Sequence, residues 1–160
     1  MAEEISPLYN LLFDSSSGLT NCKIIHKWGN QKFDVEVKGH SDYKFIEIVT
    51  AGENKETAEA RKRMLFCKDP INIGKAYGLE VVAHVACEIE KAILVKIKKN
   101  YGPGYILLVS YNNEKLLPTP WKKELFRQLE EKNIPQGCFK DIFITGFSMG
   151  DLGWKLPKNL

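Results

Sequence analysis

The 160-residue chain predicts an α/β fold: one domain, residues 1–160, with a mixed central sheet flanked by helices. In that sheet a three-strand antiparallel meander is followed by a strand–helix–strand unit. Three observations carry this expectation. Residues 31–38 and 43–50 alternate apolar and polar side chains on either side of Gly39-His-Ser-Asp, which reads as a β-hairpin. Residues 79–100 place Val82, Val85, Ala86, Ile89, Ala92, Ile93 and Ile97 on one stripe at helical spacing. Residues 105–111 form a continuous apolar run of strand length, as expected for a strand covered on both faces.

The remaining elements follow in order. Ser6-Pro7 ahead of Leu8, Leu11 and Leu12 predicts an N-cap and a proline at the first helical position. A polar loop at 14–18 closes that helix. A strand is expected over 22–28, and Gly29-Asn30 turns it into the strand carrying Asp34. Residues 55–67 are helical in pattern, and 68–78, with Pro70 and two glycines, form a longer connection. Gly102-Pro-Gly104 stops the long helix. Thr119-Pro120 opens an amphipathic helix through Trp121, Leu125 and Leu129, and residues 139–147 form the last strand. The final strand–helix–strand reads as a crossover within the same sheet.

Composition is that of an ordinary globular protein, 44% hydrophobic and 27% charged. A net charge of +3 permits a nucleic-acid partner without demanding one. Cys22, Cys67, Cys87 and Cys138 lie far apart with no CxxC pair, so spacing excludes a zinc ribbon or finger. Cys87 in its apolar run suits a reduced thiol. The amino terminus lacks a basic region followed by an apolar stretch, and no apolar run reaches the roughly 20 residues of a membrane span. A cytoplasmic protein with no membrane contact is expected; oligomeric state is not readable.

Chemistry concentrates on the hairpin. With Lys38 opposite Tyr43, Glu36 meets Phe45 and Asp34 meets Glu47, while Phe33, Val35, Val37, Ile46 and Ile48 share the buried face. Like charges directly opposed destabilise a sheet, so a cation or a shared proton is expected to settle the pair. Carboxylate oxygens suit Mg2+ or Mn2+. The plainer alternative is a solvated polar sheet face. Phe45 and Val49 weigh against it, because they share the face with Glu47 and indicate that it is covered. Lys96 is the second anomaly. At about 100° per residue it falls about 20° from the middle of the long helix's apolar stripe, set at Ile89. Its ammonium then either points at the sheet or snorkels to water at the helix end. Arg61-Lys-Arg63 and the lysines at 96–99 are basic clusters that suit phosphates or plain solvated faces. His40 and His84 have no nucleophile in view.

An acid on the first hairpin strand with an Ile-Glu-Ile second strand (Phe45-Ile-Glu-Ile-Val-Thr-Ala51) resembles the PD-(D/E)XK, or restriction-endonuclease-like, nuclease superfamily. Within it the chain is similar to small proteins whose later helix reads Ala-Ile-x-x-Lys-x-x-Lys-x-Tyr, here Ala92 to Tyr101. The resemblance spans about residues 8–147 and implies a restriction-endonuclease-like fold and Mg2+-dependent (or Mn2+-dependent) phosphodiester hydrolysis in DNA. Asp34 and Glu47 map onto the metal-binding acids, helped by the main-chain carbonyl of Ile48. The motif lysine falls at Val49, and Phe33 stands where the motif has proline. Lys96 is the candidate for a lysine that has migrated to the helix, completing a catalytic set of Asp34, Glu47 and Lys96. Lys38 is the second choice, and Glu36 is a further ligand only if the strand is bulged. The departures at 33 and 49 also imply an alternative: an inactive nuclease-like fold serving as a nucleic-acid-binding or protein-interaction module.

Overall fold

The computed structural model describes residues 2–27, 32–52, 79–112, 120–146 and 153–158. They form one six-stranded mixed sheet whose spatial order follows the chain. Helix α1 (Ala2–Phe13) precedes β1 (Lys23–His26), β2 (Val35–Lys38) and β3 (Phe45–Thr50), which pair antiparallel in sequence. Helix α2 (Leu79–Ile97) leads to β4 (Tyr105–Tyr111), parallel to β3. Helix α3 (Pro120–Glu131) leads to β5 (Ile142–Gly146), parallel to β4, and β6 (Trp154–Lys155) closes the sheet antiparallel to β5. The meander and the strand–helix–strand unit are thus as the alternation and the apolar runs predict.

Alternation along the strands divides the core in two. Val35, Val37, Ile46, Ile48, Ile106, Leu108 and Phe143 pack under α1 with Leu8, Leu11 and Leu19. Leu107, Val109, Ile142 and Ile144 face the other way, against Val82, Ala86, Ile89 and Ile93 of α2 and Leu125 and Leu129 of α3. Every residue of β4 is buried. That is why its sequence shows no alternation: a strand covered on both faces has no solvent side to mark.

Several boundaries differ from expectation. The first helix begins at Ala2, with Pro7 inside it. Ala2-Glu3-Glu4 are strong helix formers, and they carry the helix back past the proline at the cost of one main-chain hydrogen bond. The long helix ends at Ile97 rather than at residue 100, and the last predicted strand starts at Ile142 rather than at residue 139. Strand β6 was not expected; two residues are too few to show a period. Phe33 leaves the face of Val35 and Val37. It lies before β2 begins, and its ring packs 4.4 Å from that of Phe45 on the α2 side. The helix expected over 55–67, the connection at 68–78 and Arg61-Lys-Arg63 lie outside the described residues, as do Gly29-Asn30 and Thr119. Cys22, Cys87 and Cys138 are free thiols, Cys87 as its apolar run suggests, and Cys67 lies outside the described residues.

One glycine ties the end of α2 to the rest of the fold. Gly137 sits at φ +59, and a Cβ there would lie 2.6 Å from Ile97 Cγ2 and 3.2 Å from Ile97 Cβ. Ile97 is β-branched and stiff at χ1, so it cannot swing aside cheaply. Gly137→Ala is therefore expected to destabilise the fold by about 2–3 kcal/mol through left-handed strain and overpacking. A lowered urea midpoint at unchanged m-value checks this; an unshifted midpoint counts against the close approach.

Candidate functional site

The hairpin register is the expected one, with Val35 opposite Ile46 and Glu36 opposite Phe45. Extending it by one residue brings Asp34 beside Glu47, but regular pairing stops at Val35. Asp34 N–H donates to Ile46 O at 3.2 Å, and the Asp34 side chain turns onto the neighbouring strand. Its Oδ2 accepts the Ile48 main-chain N–H at 2.7 Å. A carboxylate thus takes the acceptor position that a ladder carbonyl would fill, one residue beyond Glu47.

Glu47 is buried, 8% exposed, between Phe45 and Val49 on the α2 face. The covering helix supplies its counter-charge: Lys96 Nζ forms a hydrogen-bonded ion pair with Glu47 Oε1, and the two side chains are 15% and 10% exposed. The inward aim of Lys96 follows from its place on the apolar stripe, whereas its neighbours Lys98 and Lys99 are exposed. A second donor reaches the same oxygen. Tyr101, in the connection from α2 to β4, donates its hydroxyl to Glu47 Oε1 at 3.0 Å. Its ring is set between Tyr105 and Phe139 at centroid distances of 5.1 and 4.9 Å. Burial, the hydrogen bond to Glu47 and the charges of Glu47 and Asp34 all push the Tyr101 phenol well above its usual range. It therefore remains a donor throughout the physiological pH range.

Asp34, Glu47 and Lys96 are thus brought to one place, with Lys96 on Glu47 directly and Asp34 held one residue along β3. Asp34 makes no hydrogen bond or ion pair with Glu47 or Lys96 among the described residues. Two other candidates do not join. Glu36 pairs with Lys27 at 3.2 Å and Lys38 at 3.7 Å, so Lys38, the second choice for the amine, serves Glu36 instead. His40 Nδ1 accepts the main-chain N–H groups of Asp42 and Tyr43 and closes the hairpin turn. His84 is exposed on α2. Tyr101 went unassigned in the sequence because it follows the helix in an irregular segment, where no periodicity fixes direction.

The opposed charges, expected to need a cation or a shared proton, meet an ammonium and a phenol on Glu47 and a main-chain amide on Asp34. Each acid still keeps one oxygen, Asp34 Oδ1 and Glu47 Oε2, that accepts no hydrogen bond among the described residues. Carboxylate oxygens are the donor type that Mg2+ takes alongside several waters and phosphate oxygens. These two do not make an all-protein cage, and no group of three or more His, Cys, Asp or Glu side chains that could hold a metal ion occurs among the described residues. None of the helices among them is long and apolar enough to cross a membrane. Comparison with protein-family models, curated proteins and solved structures finds no match for this chain.

Proposed function

We propose that this protein is a metal-dependent nuclease that hydrolyses phosphodiester bonds in DNA on a restriction-endonuclease-like core. The observation that carries the reading is the meeting of Glu47 from β3 with Lys96 from α2, beside an Asp34 carboxylate pinned to the same strand. The helix, three-strand meander, helix, strand order around the site supports it. Asp34 and Glu47 would hold a divalent ion through Oδ1 and Oε2, and the main-chain carbonyl of Ile48 would add a third oxygen, as the family resemblance implies. When bound, that ion supplies charge to a phosphoryl oxygen and acidifies a coordinated water.

The chain's own groups do the rest. The Ile48 N–H fixes the Asp34 carboxylate. Tyr101 fixes Glu47. Lys96, on a four-carbon stem, presents a positive charge to the phosphate or the attacking oxygen. Lys98 and Lys99, exposed at the same helix end, would meet the backbone of the substrate and make binding salt-sensitive. The test compares wild type with Asp34→Ala on single- and double-stranded DNA in the presence of Mg2+. Cleavage by wild type that falls at least about 100-fold in the variant is expected from the loss of an ion ligand. Equal cleavage by the two proteins ends the proposal.

The alternative is a silent module on the same fold that binds nucleic acid or a protein. The Lys96–Glu47 pair favours it, since it already neutralises Glu47 without a metal ion. Such a module should bind DNA or a protein partner equally well with and without Mg2+.

A further inference from the structure

We infer that Lys96 is a resident counter-ion that a divalent cation must displace from Glu47, so that metal loading and release of the catalytic amine are one exchange. The inference rests on the reading of Asp34 and Glu47 as ion ligands and goes beyond it. Lys96 and Tyr101 share one acceptor, Glu47 Oε1. The two donors differ in what holds them. Tyr101 is clamped by the rings of Tyr105 and Phe139 and carries no charge to be repelled. Lys96 stands one residue from the end of α2 on a flexible stem, with 15% of its side chain already exposed. Bringing a divalent charge to Glu47 Oε2 places it within a few ångströms of the ammonium. At that range and in a part-buried site, charge repulsion is large. The lysine is the group that yields.

The consequence is a division of labour on a single carboxylate. Tyr101 keeps Glu47 in place throughout, while the ammonium released by the ion becomes available to the phosphate. Without the ion, Lys96 guards the acid and the amine is unavailable for chemistry. The site is then off until the ion arrives, and the wild-type affinity for the ion includes the cost of evicting the lysine.

Calorimetric titration of Mn2+ into the full chain, wild type against Lys96→Gln and Lys96→Arg, tests this. Lys96→Gln keeps a donor for Glu47 but removes the competing charge, so it should bind Mn2+ about tenfold more tightly or better, whereas Lys96→Arg should stay near wild type. Wild-type binding that is unchanged or weakened in Lys96→Gln overturns the exchange and leaves the metal site standing. Binding by none of the three proteins removes the metal site and the exchange together. A measurement on unaltered protein stands beside it. The rate of reductive methylation of Lys96, read by peptide mass spectrometry, should rise severalfold when Mg2+ is added. A rate that does not rise counts against release of the ammonium.

Discussion

Replacement of Glu47 by alanine is expected to reduce Mg2+-dependent DNA cleavage by about a thousandfold or more, equivalent to about 4 kcal/mol of transition-state stabilisation. The effect should exceed that of Asp34→Ala because of what each acid holds. Asp34 is tied to a main-chain amide, and its removal leaves Ile48 N–H without its acceptor but Lys96 in place. Glu47 receives both Lys96 and Tyr101. On the proposed reading its removal takes away an ion ligand and also the acceptor that keeps the amine beside the site until the ion arrives. The stability cost should be smaller, about 1–3 kcal/mol, because a part-buried ammonium and a phenol lose their acceptor. Lys96 lies in the last turn of α2, where its charge suits the helix dipole and its stem can reach water. Glu47→Gln separates the two effects. It keeps an oxygen for both donors, so it should fold nearly as well as wild type while losing cleavage almost as completely as the alanine variant. A folded Glu47→Gln protein that cleaves at the wild-type rate would falsify the assignment.

The second large effect concerns stability, and it lies on the opposite face of the sheet. Asp141, just before β5, is 3% exposed. Its Oδ2 accepts the Tyr43 hydroxyl, and Oδ1 lies 3.0 Å from Lys155 Nζ and 3.5 Å from Lys158 Nζ. The lysine contacts are ion pairs rather than aligned hydrogen bonds. Burial by itself would raise the Asp141 carboxyl. The hydrogen bond from Tyr43 and the close positive charges of Lys155 and Lys158 outweigh it and hold the carboxyl below its ordinary value of 3.8. Asp141 also fastens β5 to β4, its carbonyl accepting Leu107 N–H at 3.0 Å.

Asp141→Ala should therefore cost about 2–4 kcal/mol at pH 7, since Tyr43 is left buried without its acceptor. Because the carboxyl is depressed in the fold, its contribution is fully present above the unfolded-state value near 4. It is lost as the pH falls through the lower folded-state value. The gap between wild type and variant should thus be constant from pH 7 to about pH 5 and narrow below pH 4. Urea melts across that range measure it. A gap that widens on acidification would contradict the sign of the shift.

Much of the frame was legible in the sequence because it rests on period. Two-residue alternation set the hairpin register, and one residue of slippage would have turned Val35, Val37, Ile46 and Ile48 out to solvent. Helical spacing placed Lys96 on the apolar stripe, leaving the structure to show its ammonium on Glu47, and the unbroken apolar run marked β4 as a central strand. The helix start at Ala2 was missed because a proline signal is statistical, while good helix formers upstream of it propagate the helix. Phe33 was misplaced because alternation was extended past the point where pairing ends.

The site was legible in part for the same reason. Asp34, Glu47 and Lys96 stand out as residues that break or strain a periodic pattern. Tyr101 does not, and neither do Asp141 and its partners. Tyr43 and Asp141 are 98 positions apart, and Tyr101 meets Glu47 across 54. The sequence by itself determined which faces are apolar, the order of the first five strands along the chain and which polar side chains sit among apolar neighbours, because these are consequences of local geometry repeated along the chain. Only the tertiary structure decided that one carboxylate oxygen takes both an ammonium and a phenol, and that the neighbouring acid is held by a backbone amide. Those contacts depend on where irregular segments bring distant residues, and no local period encodes that.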